Sequence, residues 1–210
     1  MENPVMLLCD IGNTSYHFLQ NEEEYKKDAK TFDPSSIKEK VFYICVNPAV
    51  KLLLEKLDNW INIAAFIDMR NYYETMGIDR IVACEYIHDG VIVDVGSAIT
   101  VDLVKAGLFE GGFIYPGIKA MSQTYKNISS ALDYAFNFEL DLGKMPKNSA
   151  DALSYGYIKT LVCEVNSLGL EVHLTGGDAK KFAKVFPNAK VDERLIFKSM
   201  KQIIKKAKLC

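Results

Sequence analysis

The chain lacks the features that mark several protein classes. Among its 210 residues no apolar run approaches the roughly 18 needed to cross a bilayer, which predicts a protein without a membrane span. The opening Met1-Glu2-Asn3-Pro4 has neither the basic region nor the long apolar core of a signal peptide, so a cytoplasmic location is expected. Net charge is only −2, which removes any global attraction to nucleic acid or an anionic membrane. The five cysteines, at 9, 45, 84, 163 and 210, are odd in number and form no C-x-x-C pair. That spacing argues against a disulfide framework and a zinc site, and most of them read as small buried apolar residues. His17, His88 and His173 are isolated and read as structural.

What is present is the composition of an ordinary globular protein, 49% hydrophobic and 25% charged. Its length suits one large domain or two of about 100 residues. An internal duplication favours two. Leu7-Leu8-Cys9-Asp10-Ile11-Gly12-Asn13-Thr14 is echoed by Val91-Ile92-Val93-Asp94-Val95-Gly96-Ser97-Ala98-Ile99-Thr100. Each copy is an apolar strand delivering a carboxylate, then glycine, then a turn rich in hydroxyls. A carboxylate at a strand end can hold a hydrated cation, and glycine lets backbone N–H groups approach phosphate. Two facing copies would clamp a nucleotide.

The pattern predicts an α/β chain with mixed sheets, divided near His88 into residues 1–88 and 89–210, with the last helix able to pack back on the first domain. Residues 5–11 and 16–19 read as a hairpin about the turn 12–14, followed by a charged stretch, 21–30. A buried strand is expected at 41–46, then a helix capped by Asn47, begun by Pro48 and running to about Asn59. Its apolar residues Leu52, Leu53, Leu57 and Trp60 sit at helical spacing, and the next strand is expected at 63–67. The second half restarts with strands 90–95, 99–105 and 109–114, helices 118–136 and 150–168, and a strand at 172–175 feeding Gly176-Gly177. Residues 192–208 read as an amphipathic helix whose lysines form a solvated face.

Three glycine-bearing turns, each after an apolar strand, resemble those of the actin-like, sugar kinase and Hsp70 ATPase superfamily. That resemblance implies two duplicated actin-like (ribonuclease H-like) domains with mixed central sheets and flanking helices. Between the halves lies Gly77-Ile78-Asp79-Arg80. A guanidinium can fork onto a substrate carboxylate, and the carboxylate beside it can accept a hydroxyl proton. Taken alone, the same residues also suit an Asp79 helix cap followed by a surface arginine.

D-x-G-N-T, G-x-D-R, D-x-G-[ST]-A-x-T-x-D and Gly111-Gly112-Phe113-Ile114-Tyr115-Pro116-Gly117, in this order, resemble the type III pantothenate kinases. The family's activity is ATP-dependent phosphorylation of pantothenate to 4′-phosphopantothenate, the first step of coenzyme A synthesis. The resemblance implies that Asp10, Ile11, Gly12 and Asn13, with Thr14, Ser15, Tyr16 and His17, bind ATP, Asp10 near magnesium through water. It makes Asp79 the general base, with Gly77, Ile78, Asp79 and Arg80 holding pantothenate. Asp94 would bind the monovalent cation, potassium or ammonium, and Ser97 would contact ATP. It further implies a homodimer whose substrate pocket is completed at the interface.

Ser149, ahead of a helix start, would contact pantothenate, a role compatible with a serine cap. Ser97 and Ser149 stand where the family has threonine and keep the hydroxyl. The family's pocket tyrosine precedes G-x-D-R after a proline that is absent here, so Tyr73 is expected to take its place, with Tyr72 as the alternative. A non-catalytic nucleotide-binding regulator on the same scaffold, or a kinase of another small hydroxy acid, are the competing readings.

Overall fold

A computed structural model describes residues 6–209. Chain contacts divide into two units, residues 1–86 with 194–210, and residues 87–193. Each is built on a five-stranded mixed sheet. No helix among the described residues is long and apolar enough to cross a membrane.

The first unit begins with β1 (Leu7–Ile11), β2 (Ser15–Gln20) and β3 (Glu23–Asp28). Val5, expected in the first strand, lies outside the described residues. β3 falls in the charged stretch for which no strand was expected. All six of its residues are exposed, so no apolar alternation marks it, and its charges suit the edge it occupies beside β2. Asn21 and Glu22 make the tight turn, both at positive φ. On the other side of β1 come the parallel strands β4 (Val41–Cys45) and β5 (Trp60–Asn62), joined through α1 (Pro48–Leu54).

Asn47 caps α1 as expected, its Oδ1 accepting from the amides of Ala49 and Val50 at 3.1 and 3.3 Å. The helix stops at Leu54, well short of Asn59. It buries Val50 and Leu54, while Leu52 and Leu53 are 64% and 45% exposed, so the helical stripe expected through them is corrected. Trp60 belongs to β5, where it packs in the core with its indole N–H donating to the Pro34 carbonyl at 3.3 Å. The strand expected at 63–67 therefore arrives earlier, and Asn62 turns the chain into a 3-10 segment, Ile63–Phe66. The unit's first stretch ends with α2 (Ile78–Cys84).

The second unit repeats the pattern with β6 (Gly90–Val95), β7 (Ala98–Lys105) and β8 (Leu108–Pro116) as an antiparallel meander. After α3 (Ile118–Ile128) and α4 (Ser149–Ser167) come β9 (Val172–Thr175), α5 (Ala179–Phe182) and β10 (Lys190–Val191). β9 and β10 add in parallel beyond β6. Strand order is thus β3-β2-β1-β4-β5 in one sheet and β8-β7-β6-β9-β10 in the other, the same connectivity twice. Val91, Val93 and Val95 alternate onto one face and pack with Tyr157 and Leu161 of α4 and Phe182 of α5. α3 ends eight residues before 136, because the Ser129 hydroxyl takes the Ala131 amide at 3.2 Å and starts a separate 3-10 turn.

The closing helix, α6 (Leu195–Lys206), lies with the first unit. Its Ser199 hydroxyl donates to the Val82 carbonyl of α2, and Phe197 packs on His17 with ring centroids 4.9 Å apart. Met200, Ile203 and Ile204 are buried, while Lys198, Lys205 and Lys206 are exposed. Of the four described cysteines, all free thiols, Cys9 and Cys84 are buried, Cys45 is half-buried and Cys163 is exposed.

Candidate active site

Asp10 and Asp94 each occupy the penultimate place of a central strand. Gly12 N–H bonds the Ser15 carbonyl at 3.0 Å and Gly96 N–H bonds the Ala98 carbonyl at 3.0 Å, closing the two turns. Asn13, Thr14 and Ser97 are exposed at their tips. Asp10 lies in register with His17 on β2 and Ile44 on β4, whereas Asp94 lies in register with Thr100 on β7 and Thr175 on β9. Direct partners share a face, so Asp94 stands in a row of hydroxyls. That oxygen-only donor set fits a hard monovalent cation. Asp10 offers one half-buried carboxylate, which fits a magnesium ion that keeps most of its waters.

His17 Nε2 is 2.9 Å from Glu24 Oε2. Burial holds its pKa below the ordinary value, with Lys26 adding to the effect and Glu24 opposing it. Ile11 and Tyr16 point the other way, into the hydrophobic core, where burial pushes the Tyr16 phenol up to about 12. Any part they take in binding ATP is therefore through backbone atoms.

Gly176 carries φ +86°, and a Cβ there would run into Asp94 Oδ1 and lie 2.7 Å from the Val95 carbonyl oxygen. Asp178 N–H bonds that carbonyl at 3.1 Å, so Gly176-Gly177 bulges beside Asp94 before the chain re-engages β6. After β4 there is no such bulge, and Val46 N–H bonds the Ile11 carbonyl directly, at 3.0 Å.

The G-x-D-R segment opens α2. Gly77 is the cap residue, so the alternative reading of Asp79 as the cap does not hold: Asp79 sits in the first turn, with Oδ1 accepting from the Arg80 amide at 2.8 Å. A Cβ on Gly77 would lie 2.5 Å from that oxygen, so a larger residue there would displace the Asp79 carboxylate. Nor is Arg80 a surface residue; it is 6% exposed. Its Nη1 donates to the Tyr73 hydroxyl at 2.5 Å, and its guanidinium carbon lies 5.8 Å from the Tyr73 ring centroid. Tyr72 donates to Glu85 Oε1 at 2.9 Å. Tyr72 and Tyr73 both line a cavity of about 530 Å³, together with Gly77, Ile78, Lys51, Asn62 and Met76. In the second unit Ser149 is exposed as the first residue of α4. Asn148, not Ser149, is the cap, its Oδ1 accepting from the Asp151 amide at 2.9 Å.

The family model described as "Type III pantothenate kinase" matches residues 46–169, taking in both the G-x-D-R segment and the Asp94 turn. The chain belongs to the type III pantothenate kinase family. A type III pantothenate kinase of Sulfurimonas denitrificans is 64% identical over 205 residues, covering 98% of this chain and all of that protein. One from Wolinella succinogenes is 40% identical, covering 97% and 98%. Among solved structures, a Campylobacter jejuni protein assigned by its description to the Baf family of transcriptional activators superposes with a TM-score of 0.88 at 39% identity, covering 98% of this chain and 100% of that one. A Sinorhizobium meliloti protein described as a 2-dehydro-3-deoxygalactonokinase shares the fold at 10% identity, with a TM-score of 0.56 and 96% of each chain covered. The architecture is that of the actin-like and sugar kinase proteins.

For this pantothenate kinase family member, three features of the site were not singled out from sequence. Thr100 and Thr175 flank Asp94 only because register places them there; Thr100 does stand inside the D-x-G-[ST]-A-x-T-x-D motif, which is the signal that could have found it. The Tyr72–Glu85 bond had no sequence signal. Lys51 enters the cavity lining because α1 packs against β4, a tertiary fact.

Proposed function

We propose that this chain phosphorylates the primary hydroxyl of pantothenate from ATP, giving 4′-phosphopantothenate and ADP in the first step of coenzyme A synthesis. The observation that carries the reading is the buried Arg80, bonded to Tyr73 and next in the chain to Asp79, in a helix whose opening residues Gly77 and Ile78 line the 530 Å³ cavity together with Tyr73. Arg80 meets the acceptor's carboxylate with a planar fork. Asp79 Oδ1 is turned to the backbone, and Oδ2 takes the proton as the acceptor oxygen attacks the γ-phosphorus and the bond to the bridging oxygen of ADP breaks. Tyr73, Gly77 and Ile78 shape the acceptor pocket, and Ser149 adds a hydroxyl to pantothenate.

The residues from Asp10 to His17 hold the ATP phosphates, chiefly through the turn amides, and Ser97 contacts ATP from the second turn. Asp10 holds magnesium through water, and Asp94 with Thr100 and Thr175 holds potassium or ammonium. Once bound, both cations offset phosphate charge during transfer. Beyond that charge, the protein's work is positioning. The working form is a homodimer that completes the acceptor pocket, and it acts in the cytoplasm. The unburied α3, with its Ile128 exposed by 68% and Ile114 of β8 by 65%, supports an association surface on the second unit.

A coupled assay of ADP formation, with pantothenate or neutral sugars and with or without potassium, tests the reading. Pantothenate-dependent, potassium-stimulated ADP release is expected; its absence under every cation overturns it. A purely regulatory role, as the description of the Campylobacter jejuni structure suggests for that protein, gives no need for a base beside a buried guanidinium.

A further inference from the structure

Tyr72 and Tyr73 are consecutive, and both reach α2, one at each end. Tyr73 receives the Arg80 guanidinium in the first turn, and Tyr72 donates to Glu85, the residue that closes the helix. Five residues of helix separate those anchors, about 7.5 Å of rise, roughly the span of two extended residues. Tyr72 has extended backbone angles, φ −131° and ψ 154°, which send the two side chains to different stations along the helix. The segment is further tied by Met76 N–H to the Tyr73 carbonyl at 3.0 Å, and the buried Met76 leads directly into Gly77. Residues 72–77 therefore form a strap laid along α2, and the strap is one wall of the 530 Å³ cavity.

Tyr73, 45% exposed as a residue, meets Arg80 through its hydroxyl and its ring, and its place along the helix is set by the strap that Tyr72 ties to Glu85. A guanidinium that must meet a planar carboxylate depends on its orientation, so whatever fixes the phenol also fixes the fork. We infer that Tyr72 and Glu85 are positioning residues for the acceptor site: their hydrogen bond pins the strap so that Tyr73 presents Arg80 to the acceptor's carboxylate. This rests on the acceptor-site reading given above. Tyr72 borders the cavity while Glu85 does not, so Glu85→Gln is the variant that reads positioning alone.

The test uses Tyr72→Phe and Glu85→Gln, which remove the bond with little change of shape, together with the double variant. Pantothenate and ATP binding are measured by calorimetry on the full chain, alongside KM and kcat, and hydrogen exchange of segment 69–77 is followed without ligand. Expected are a pantothenate Kd and KM raised about five- to tenfold, a value suited to a hydrogen bond with a charged partner. ATP binding should stay within about twofold, the double variant should be no worse than either single one, and exchange in the strap should be faster. Pantothenate affinity within twofold of the parent, or ATP weakened equally, overturns the positioning role while leaving the function intact. A parent protein that binds no pantothenate withdraws both.

Discussion

Asp10 and Asp94 hold the same station in two sheets of the same strand order, yet their neighbours differ on both sides. Asp10 stands between a titratable ring and an aliphatic chain, His17 and Ile44; Asp94 stands between two hydroxyls, Thr100 and Thr175. Both turn glycines have room, a Cβ on Gly12 or Gly96 meeting nothing closer than a carbonyl oxygen at 3.8 or 3.6 Å, so the difference lies in the loop after β9. There Gly176 lies so near Asp94 that an added Cβ would run into its carboxylate. The repeated pattern thus supplies two equivalent carboxylates whose strand neighbours differ, and the proposed division, hydrated magnesium at Asp10 and a monovalent ion at Asp94, rests on that difference. The proposed proton acceptor, Asp79, lies on neither strand but at the start of α2.

The sharpest test of that division is Asp79→Asn, expected to lower kcat about 100- to 10,000-fold while ATP binding and melting temperature stay near the parent values. Near-normal turnover would return the base to one of the turns. Next comes a glycine pair. Gly176→Ala, at φ +86° and against Asp94, should cost about 2–4 kcal/mol in urea unfolding, and Gly12→Ala under about 1 kcal/mol. Equal losses would erase the asymmetry of the turns. Asp94→Asn should raise the potassium concentration for half-maximal activity about tenfold, the worth of roughly 1.4 kcal/mol, and leave the magnesium requirement alone; Asp10→Asn should do the reverse. A swap of these effects would invert the assignment.

The smallest expected effect separates the aspartates' neighbours by pH. His17 is kept below its ordinary pKa first by burial, with Lys26 from β3 assisting, Glu24 opposing and the Phe197 ring packed against it. In the fold it stays neutral while the unfolded chain takes up a proton near pH 6.5, so its contribution to stability is present above that value and falls away below it. His17→Gln should therefore shrink the loss of melting temperature between pH 7.5 and 5.5 by about 1–2 °C. His173, also depressed by burial, leaves the second unit with its own acid sensitivity, so the difference between parent and variant is the quantity to read. No difference would mean that His17 titrates alike in both states.

Much of this was legible along the chain wherever a signal was local. Asn47-Pro48 announced a helix start because a side-chain acceptor and a missing N–H suit that place, and the paired D-x-G turns lay after true strands. Signals failed where burial decided. Leu52 and Leu53 kept helical spacing yet face solvent, because α1 offers the sheet only Val50 and Leu54. β3 carries no apolar alternation, being an edge held by main-chain bonds. At α4 two adjacent residues could each cap, and Asn148 won by taking the Asp151 amide while its own Nδ2 donates to the Asp151 carboxylate at 2.7 Å.

Short-range chemistry in the chain was enough to settle which carboxylates and glycines belong together, since a strand, a turn and a cap are each decided within a few residues. Packing alone decided that Arg80 is buried against Tyr73 rather than Tyr72, and that Asp94 is lined by threonines while Asp10 is not. Those relations join residues from different strands, or a helix and the segment laid along it, and only close packing and strand register bring such groups within reach of one another.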